Sequence, residues 1–188
     1  MTKETIEQQA TQILREEKIS RLPISAERLA ESYFGLDFDC GELDDNELAG
    51  LKIAEKKIYM NESRADELVA NVGLKNFTIA HELGHWTLHK NLVGKRSRQI
   101  EREADWFATC LLMPEKWVRE EFSEFKVWLP AEMKVDSLAK IFCVSRTAMK
   151  IRLSQRELKL IYVDFNDYSC YRSKEDFLEQ SAGQMKLF

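Results

Sequence analysis

Nowhere in these 188 residues does an apolar run approach the ~18–20 residues that a membrane span requires, and the opening "MTKETIEQQATQILREEK" has no core of signal-peptide length. The expected location is therefore the cytoplasm, with no membrane partner. Cysteine is sparse: Cys40, Cys110, Cys143 and Cys170 are far apart and form no CxxC, which excludes a sulfur-based metal site and a disulfide frame. Any bound metal must be held by nitrogen and oxygen. A net charge of −4 gives no general surplus of Lys and Arg for phosphate, so nucleic acid is not the expected main partner. Only three prolines and seven glycines punctuate the chain, and no internal repeat or low-complexity stretch appears. At 44% hydrophobic and 32% charged, it has material for one good core, or for a core with a small satellite.

Histidine is as scarce as proline, and its placement is the first positive signal. All three histidines fall within "FTIAHELGHWTLH", at positions 81, 85 and 89, with Glu82 directly after the first. On an α-helix, residues four apart lie one above the other, ~6 Å along the axis. His81 and His85 thus project from one face and are spaced to grip one zinc ion at ~2.0–2.1 Å each. Glu82 is turned ~100° off that line, outside the coordination but near enough to work on a water that the metal polarises. This is the HExxH arrangement of two ligands and a general base on one turn. Phe77, Ala80, Gly84 and Leu88 make the adjoining face apolar and small, suited to burial beside another helix. Gly84 in mid-helix costs ~1 kcal/mol relative to Ala, which points to close approach of another backbone.

A catalytic zinc of this type takes three protein ligands and leaves one position open. His89 lies ~12 Å along the axis from His81, too far on a straight helix to share the ion, and is read as a helix-end residue near the C-terminal dipole. The better source is "RQIEREADWFATCLLMP". Glu101 and Asp105 share a face with Ala108 and Leu112, so one helix offers Glu101 to the metal and Asp105 to the outer Nδ1–H of a ligand histidine. Glu103 is the rival ligand; it points ~200° away from Glu101, so only one of the two faces the ion.

Around these motifs the pattern is mixed. Two helices open the chain (about residues 5–18, then one capped by Ser25 and stopped by Gly35). "LDFDC" and "GLKIAEKKIYMNE" alternate as strands, the latter as a hairpin in a small sheet. Helices are expected at about 65–72, 76–89 and 98–113, with Pro130 marking a boundary. "DSLAKIFCVSRTAMKIRLSQREL" has the form of two short helices around a turn, the second capped by Ser145, like a helix-turn-helix. From residue 133 to 160, seven lysines and arginines face two acidic residues, a local charge of +5, so a DNA reading is arguable there.

Taken together, "FTIAHELGHWTLH" and "IEREADWFATCLLMP" resemble the ImmA/IrrE family of zinc metallopeptidases. The likeness runs upstream to "LPISAERLAESYFGL" and "IYMNES", and downstream to "LAKIFCVSRTAMKIRL". It implies His81, His85 and Glu101 as ligands of one Zn²⁺ and Glu82 as the catalytic base; Asp105 stands where the family often has Asn, and either can orient a histidine. It further implies an α+β fold: a minimal thermolysin-like zincin core, assigned to 1–130, then a helix-turn-helix-like bundle over 131–188. The substrate class it implies is a helix-turn-helix transcriptional repressor, whose repression the enzyme relieves. Several relatives carry their own repressor-type DNA-binding domain before the peptidase; here the target is expected to be a separate protein. Two other readings stay open: a metal-stabilised anti-repressor or adaptor that does not cut, and a DNA-binding regulator centred on Arg146 and Lys150. Residues 57–61 are the candidate edge strand for pairing with an extended substrate. Tyr162, Tyr168 and Tyr171 follow the bundle, and none is singled out as an oxyanion donor.

Overall fold

The computed structural model describes residues 1–91, 97–155 and 158–161. Among them are eight α-helices and one three-stranded sheet, an α+β architecture. No helix of these residues is long and apolar enough to cross a membrane. Helix α1 (Lys3–Glu16) is capped by the Thr2 hydroxyl, which accepts from the Thr5 N–H, and it buries Ile6, Ala10, Ile13 and Leu14 at helical spacing. In α2 (Ala26–Ser32) the expected Ser25 cap accepts from the Arg28 N–H.

The sheet has the order β1-β3-β2. Strands β1 (Asp37–Gly41) and β3 (Lys57–Asn61) run parallel, with Phe38 opposite Ile58; β2 (Ala49–Lys52) runs antiparallel to β3, with Leu51 opposite Ile58. The hairpin turn between β2 and β3 is a single 3₁₀ turn, Ile53–Glu55, closed by Lys56 at φ 52°. Residues 57–61 are therefore the central strand, paired on both sides, and the expectation that they form a substrate-pairing edge is wrong. Their alternation is that of any half-buried strand, and only the parallel return of β1 fixes which one lies in the middle. Ile58, between both neighbours, is fully buried.

Beyond the sheet come α3 (Ala65–Ala70), α4 (Val72–His89), α5 (Arg98–Leu112), α6 (Glu115–Ser123), α7 (Ala131–Phe142) and α8 (Arg146–Ser154). The histidine helix starts four residues earlier than its apolar pattern suggests, because the Asn71 side chain caps it by accepting from the Leu74 N–H. Ser145 caps α8 as expected, accepting from the Ala148 N–H. Among the described residues, helices α4 and α5 make the most extensive contact; α1 packs on α5, while α2 and β2 pack on α4. One cluster of buried apolar side chains runs from Ile6 through Leu83, Phe107 and Leu111 to Phe142 and Leu153.

Two close approaches place α4. A Cβ added at Gly84 would stand 2.9 Å from the Ala104 Cα, so the mid-helix glycine is there to let α5 come near, as its cost in the sequence suggested. A Cβ at Gly73 would stand 2.6 Å from the Val144 carbonyl carbon, in the α7–α8 turn. Asn76 reinforces that second contact. Its amide donates to the Ile24 and Cys143 carbonyls, and its oxygen accepts from the Ala26 N–H, which ties α2, α4 and the turn together.

Candidate metal centre

The α4–α5 contact brings three predicted residues to one point. His81 Nε2 and His85 Nε2 lie 3.0 Å apart, and Glu101 Oε2 is 3.3 Å from the first and 3.5 Å from the second. Among the described residues, His81, His85 and Glu101 form a group that could hold a metal ion. The spacing suits that use. A tetrahedral ion bound at ~2.0–2.1 Å has its donors ~3.3 Å apart, close to the three separations seen. Three donors converging with no proton between every pair also leave lone pairs facing one another, an arrangement that a cation relieves.

The outer ring nitrogen of His81 is satisfied too, donating from Nδ1 to Asp105 Oδ1 at 2.8 Å. Asp105 thus stands behind His81, in the place the helix-face argument gave it. Burial disfavours a charge on His81, but hydrogen bonds to the Asp105 and Glu101 carboxylates outweigh it and push the imidazole up to about 10. Those same two histidines hold the Glu101 carboxyl well below its ordinary range, against the opposing effect of its partial burial. Without a metal, a proton fills part of the role of the cation.

Glu82 is buried at 7% exposure. Burial pushes its carboxyl pKa up; His81 and His85 pull it down, while Glu101 and Glu47 push it up again. The segment that brings Glu47 near is pinned by Asn61, whose amide donates to the Asp44 carbonyl at 3.1 Å and to the Glu47 carbonyl at 2.7 Å. Nothing in the sequence pointed to Asn61, whose burial at the end of β3 is a product of the sheet order.

Glu103 does not face the triangle. Its Oε2 accepts from His89 Nε2 at 2.9 Å, and its Oε1 meets Gln99 Nε2 at 3.0 Å and the Met1 amine. His89 is accordingly more than a residue at a helix dipole: it is buried, partnered by a carboxylate, and turned toward His85. As a rival ligand, Glu103 gives no sign of this pair in the sequence, because its partner lies on another helix.

The basic C-terminal pair is largely neutralised from within. Arg146 pairs with Glu132 and Asp136, and Lys150 with Glu132 at 3.1 Å. Lys134 is buried with its amine 4.9 Å from the Phe122 ring centroid. Arg152 is fully buried, donating from Nε to the Met113 carbonyl at 3.0 Å and from Nη1 to Gln155 at 2.8 Å. Tyr162, Tyr168 and Tyr171 lie outside the described residues.

Among curated proteins, none matches the chain. A solved structure of a Mycobacterium tuberculosis transcriptional regulator is similar at 16% identity and a TM-score of 0.56, over 81% of this chain and 47% of that one. At that identity the likeness is one of fold, and the chain spans about half the length of the regulator. The family comparison is more direct, and it falls on the residues that carry the site: residues 70–154, from the end of α3 to the end of α8, are similar to the Peptidase M78 family, described as the IrrE N-terminal-like domain.

Proposed function

We propose that the protein is a zinc-dependent endopeptidase, active in the cytoplasm, that cleaves a helix-turn-helix transcriptional repressor and so relieves repression. The observation that carries the reading is the convergence of His81 Nε2, His85 Nε2 and Glu101 Oε2 beside the buried carboxyl of Glu82. His81, His85 and Glu101 would hold a divalent ion, which would supply Lewis-acid polarisation of a water and of the scissile carbonyl. Glu82 accepts the proton of the attacking water and passes it to the leaving amine nitrogen, a task suited to a carboxyl whose pKa burial has raised. Asp105 holds the tautomer of His81 by accepting from Nδ1.

The substrate edge is reassigned to β2. It is an outer strand of the sheet and packs on α4, the helix that carries His81 and His85, so an extended peptide paired along it lies next to a strand in contact with that helix. Residues 1–130 form the peptidase core in this reading, and the helical pair beyond Pro130 supports it and docks the substrate. A DNA-binding role is disfavoured by the internal pairing of Arg146, Lys150 and Arg152. The repressor as substrate rests on the family and on the regulator-like neighbour, which support a regulatory role.

The test is incubation of wild type and Glu82→Gln with the repressor encoded nearest to this gene, with Zn²⁺ or Mn²⁺, followed by mass spectrometry. A discrete fragment from wild type alone is expected, since loss of a general base costs ~10²–10⁴ in rate. Equal relief of repression by both proteins, with no fragment from either, sinks the peptidase and leaves the non-cutting adaptor.

A further inference from the structure

All three histidines of α4 point the same way, yet only two reach the metal-facing triangle. The third, His89, is 6% exposed. Its Nδ1 lies 3.4 Å from Nδ1 of His85, and its Nε2 lies 2.9 Å from Glu103 Oε2. The two rings are 5.5 Å apart between centroids and inclined at 54°, so they meet through their nitrogens and do not stack.

Proton bookkeeping then fixes a direction. His85 turns Nε2 toward His81 and Glu101. A neutral imidazole that ligates through Nε2 carries its proton on Nδ1 and must donate it. The atom within reach is Nδ1 of His89, which accepts only when its own proton is on Nε2. Glu103, a carboxylate and hence an acceptor only, selects that tautomer. The directions agree at every link: His85 Nδ1–H to His89 Nδ1, then His89 Nε2–H to Glu103. A residue serving only the helix dipole would need neither the carboxylate nor a nitrogen aimed at a ligand.

We infer that His89, set by Glu103, is the positioning residue for His85, fixing its ring and tautomer as Asp105 fixes those of His81. The inference rests on the metal-site reading above. It also makes the two ligands unequal. His81 is backed directly by a charged carboxylate, whereas His85 is backed by a neutral ring that relays the carboxylate one step further off.

The experiment uses the full chain and reads metal binding. Zn²⁺ affinity is measured by competition with a chromogenic chelator, and the visible spectrum is recorded with Co²⁺, for wild type, His89→Leu and His89→Asn; thermal unfolding of the metal-free proteins runs alongside. Leu fills the space but leaves Nδ1–H of His85 without an acceptor. Asn returns an amide oxygen near the former Nδ1. His89→Leu is expected to bind Zn²⁺ about 10–100-fold more weakly and to shift the Co²⁺ bands, and His89→Asn to recover most of both. Wild-type affinity in His89→Leu would overturn the inference. So would an Asn variant as weak as the Leu variant, because the role would then be one of packing. Absence of metal binding in wild type would overturn the metallopeptidase reading along with it, whereas failure of the variants to differ leaves that reading standing.

Discussion

Gly84 and Ala104 face each other so closely that a methyl on the glycine would sit 3.0 Å from the alanine carbonyl oxygen and 2.9 Å from its Cα. Gly84 lies between His81 and His85 on α4, and Ala104 lies one turn beyond Glu101 on α5. Gly84→Ala gains helix propensity, ~1 kcal/mol, but collides with backbone that has no rotamer to change. The collision wins. Net destabilisation of ~1–3 kcal/mol is expected by chemical denaturation, together with weaker metal binding as α5 carries Glu101 away.

Direct loss of the ligands should look different. His81→Ala, His85→Ala and Glu101→Ala are each expected to abolish stoichiometric zinc, while Glu103→Ala still takes up one ion per chain at saturating metal. Metal analysis after gel filtration checks this. Loss in Glu103→Ala with retention in Glu101→Ala would reverse the assignment of the helix face.

The pH dependence should have opposite signs with and without metal. In the metal-free protein His81 is pushed up to about 10, against an ordinary value of 6.5. A folded-state pKa above the unfolded one gives stability that is complete below 6.5 and is lost as pH rises toward 10. The slope is at most ~1.4 kcal/mol per pH unit, and it is an upper bound because 19% of the side chain stays in solvent. Zinc displaces that proton, so affinity rises across the same window by up to about tenfold per unit. Unfolding of chelator-treated protein and zinc competition, each at pH 6.5 and 8.5, should therefore move in opposite directions.

Glu82 pits stability against function. Burial raises its pKa, so the ionised form is less stable in the fold than in the unfolded chain. Glu82→Gln removes that penalty while keeping the shape. A higher unfolding temperature at pH 7, with zinc retained and cleavage lost, is expected. A fall of several degrees would mean that the carboxylate is held by favourable partners.

Arg152 is the test of the C-terminal pair. Its guanidinium binds the Met113 carbonyl and Gln155 and lies 5.6 Å from the Trp106 ring centroid. Arg152→Ala leaves a cavity and an unpaired carbonyl, and should cost ~2–4 kcal/mol. Retention on DNA at moderate salt should not separate wild type from the double variant Arg146→Ala, Lys150→Ala, whose side chains are occupied by Glu132 and Asp136.

What could be read from the sequence was what lies within one helix. The His81–His85 pairing and the exclusion of one of Glu101 and Glu103 from a shared face both follow from 100° per residue, and the caps at Ser25 and Ser145 from hydroxyl chemistry one residue before a helix. What lay between elements could not be read. The strand at 57–61 became central only because β1 returns parallel beside it, and periodicity carries no record of strand order. His89 and Glu103 are 14 residues apart on different helices, and each taken alone has an ordinary local account. Their meeting depends on how α4 and α5 cross, and that crossing is set by Gly84.

Gly73 and Gly84 are separated by eleven residues, close to three full turns, so they mark the same side of α4 about 16 Å apart. Each admits a foreign backbone, the α7–α8 turn at one notch and α5 at the other. The histidine helix thus works as a ruler with two missing methyl groups as its graduations: the distance from the helix-turn-helix-like pair to the helix bearing Glu101 is written into the sequence as a count of residues, and an insertion of a single residue between the two glycines would turn the notches ~100° out of line.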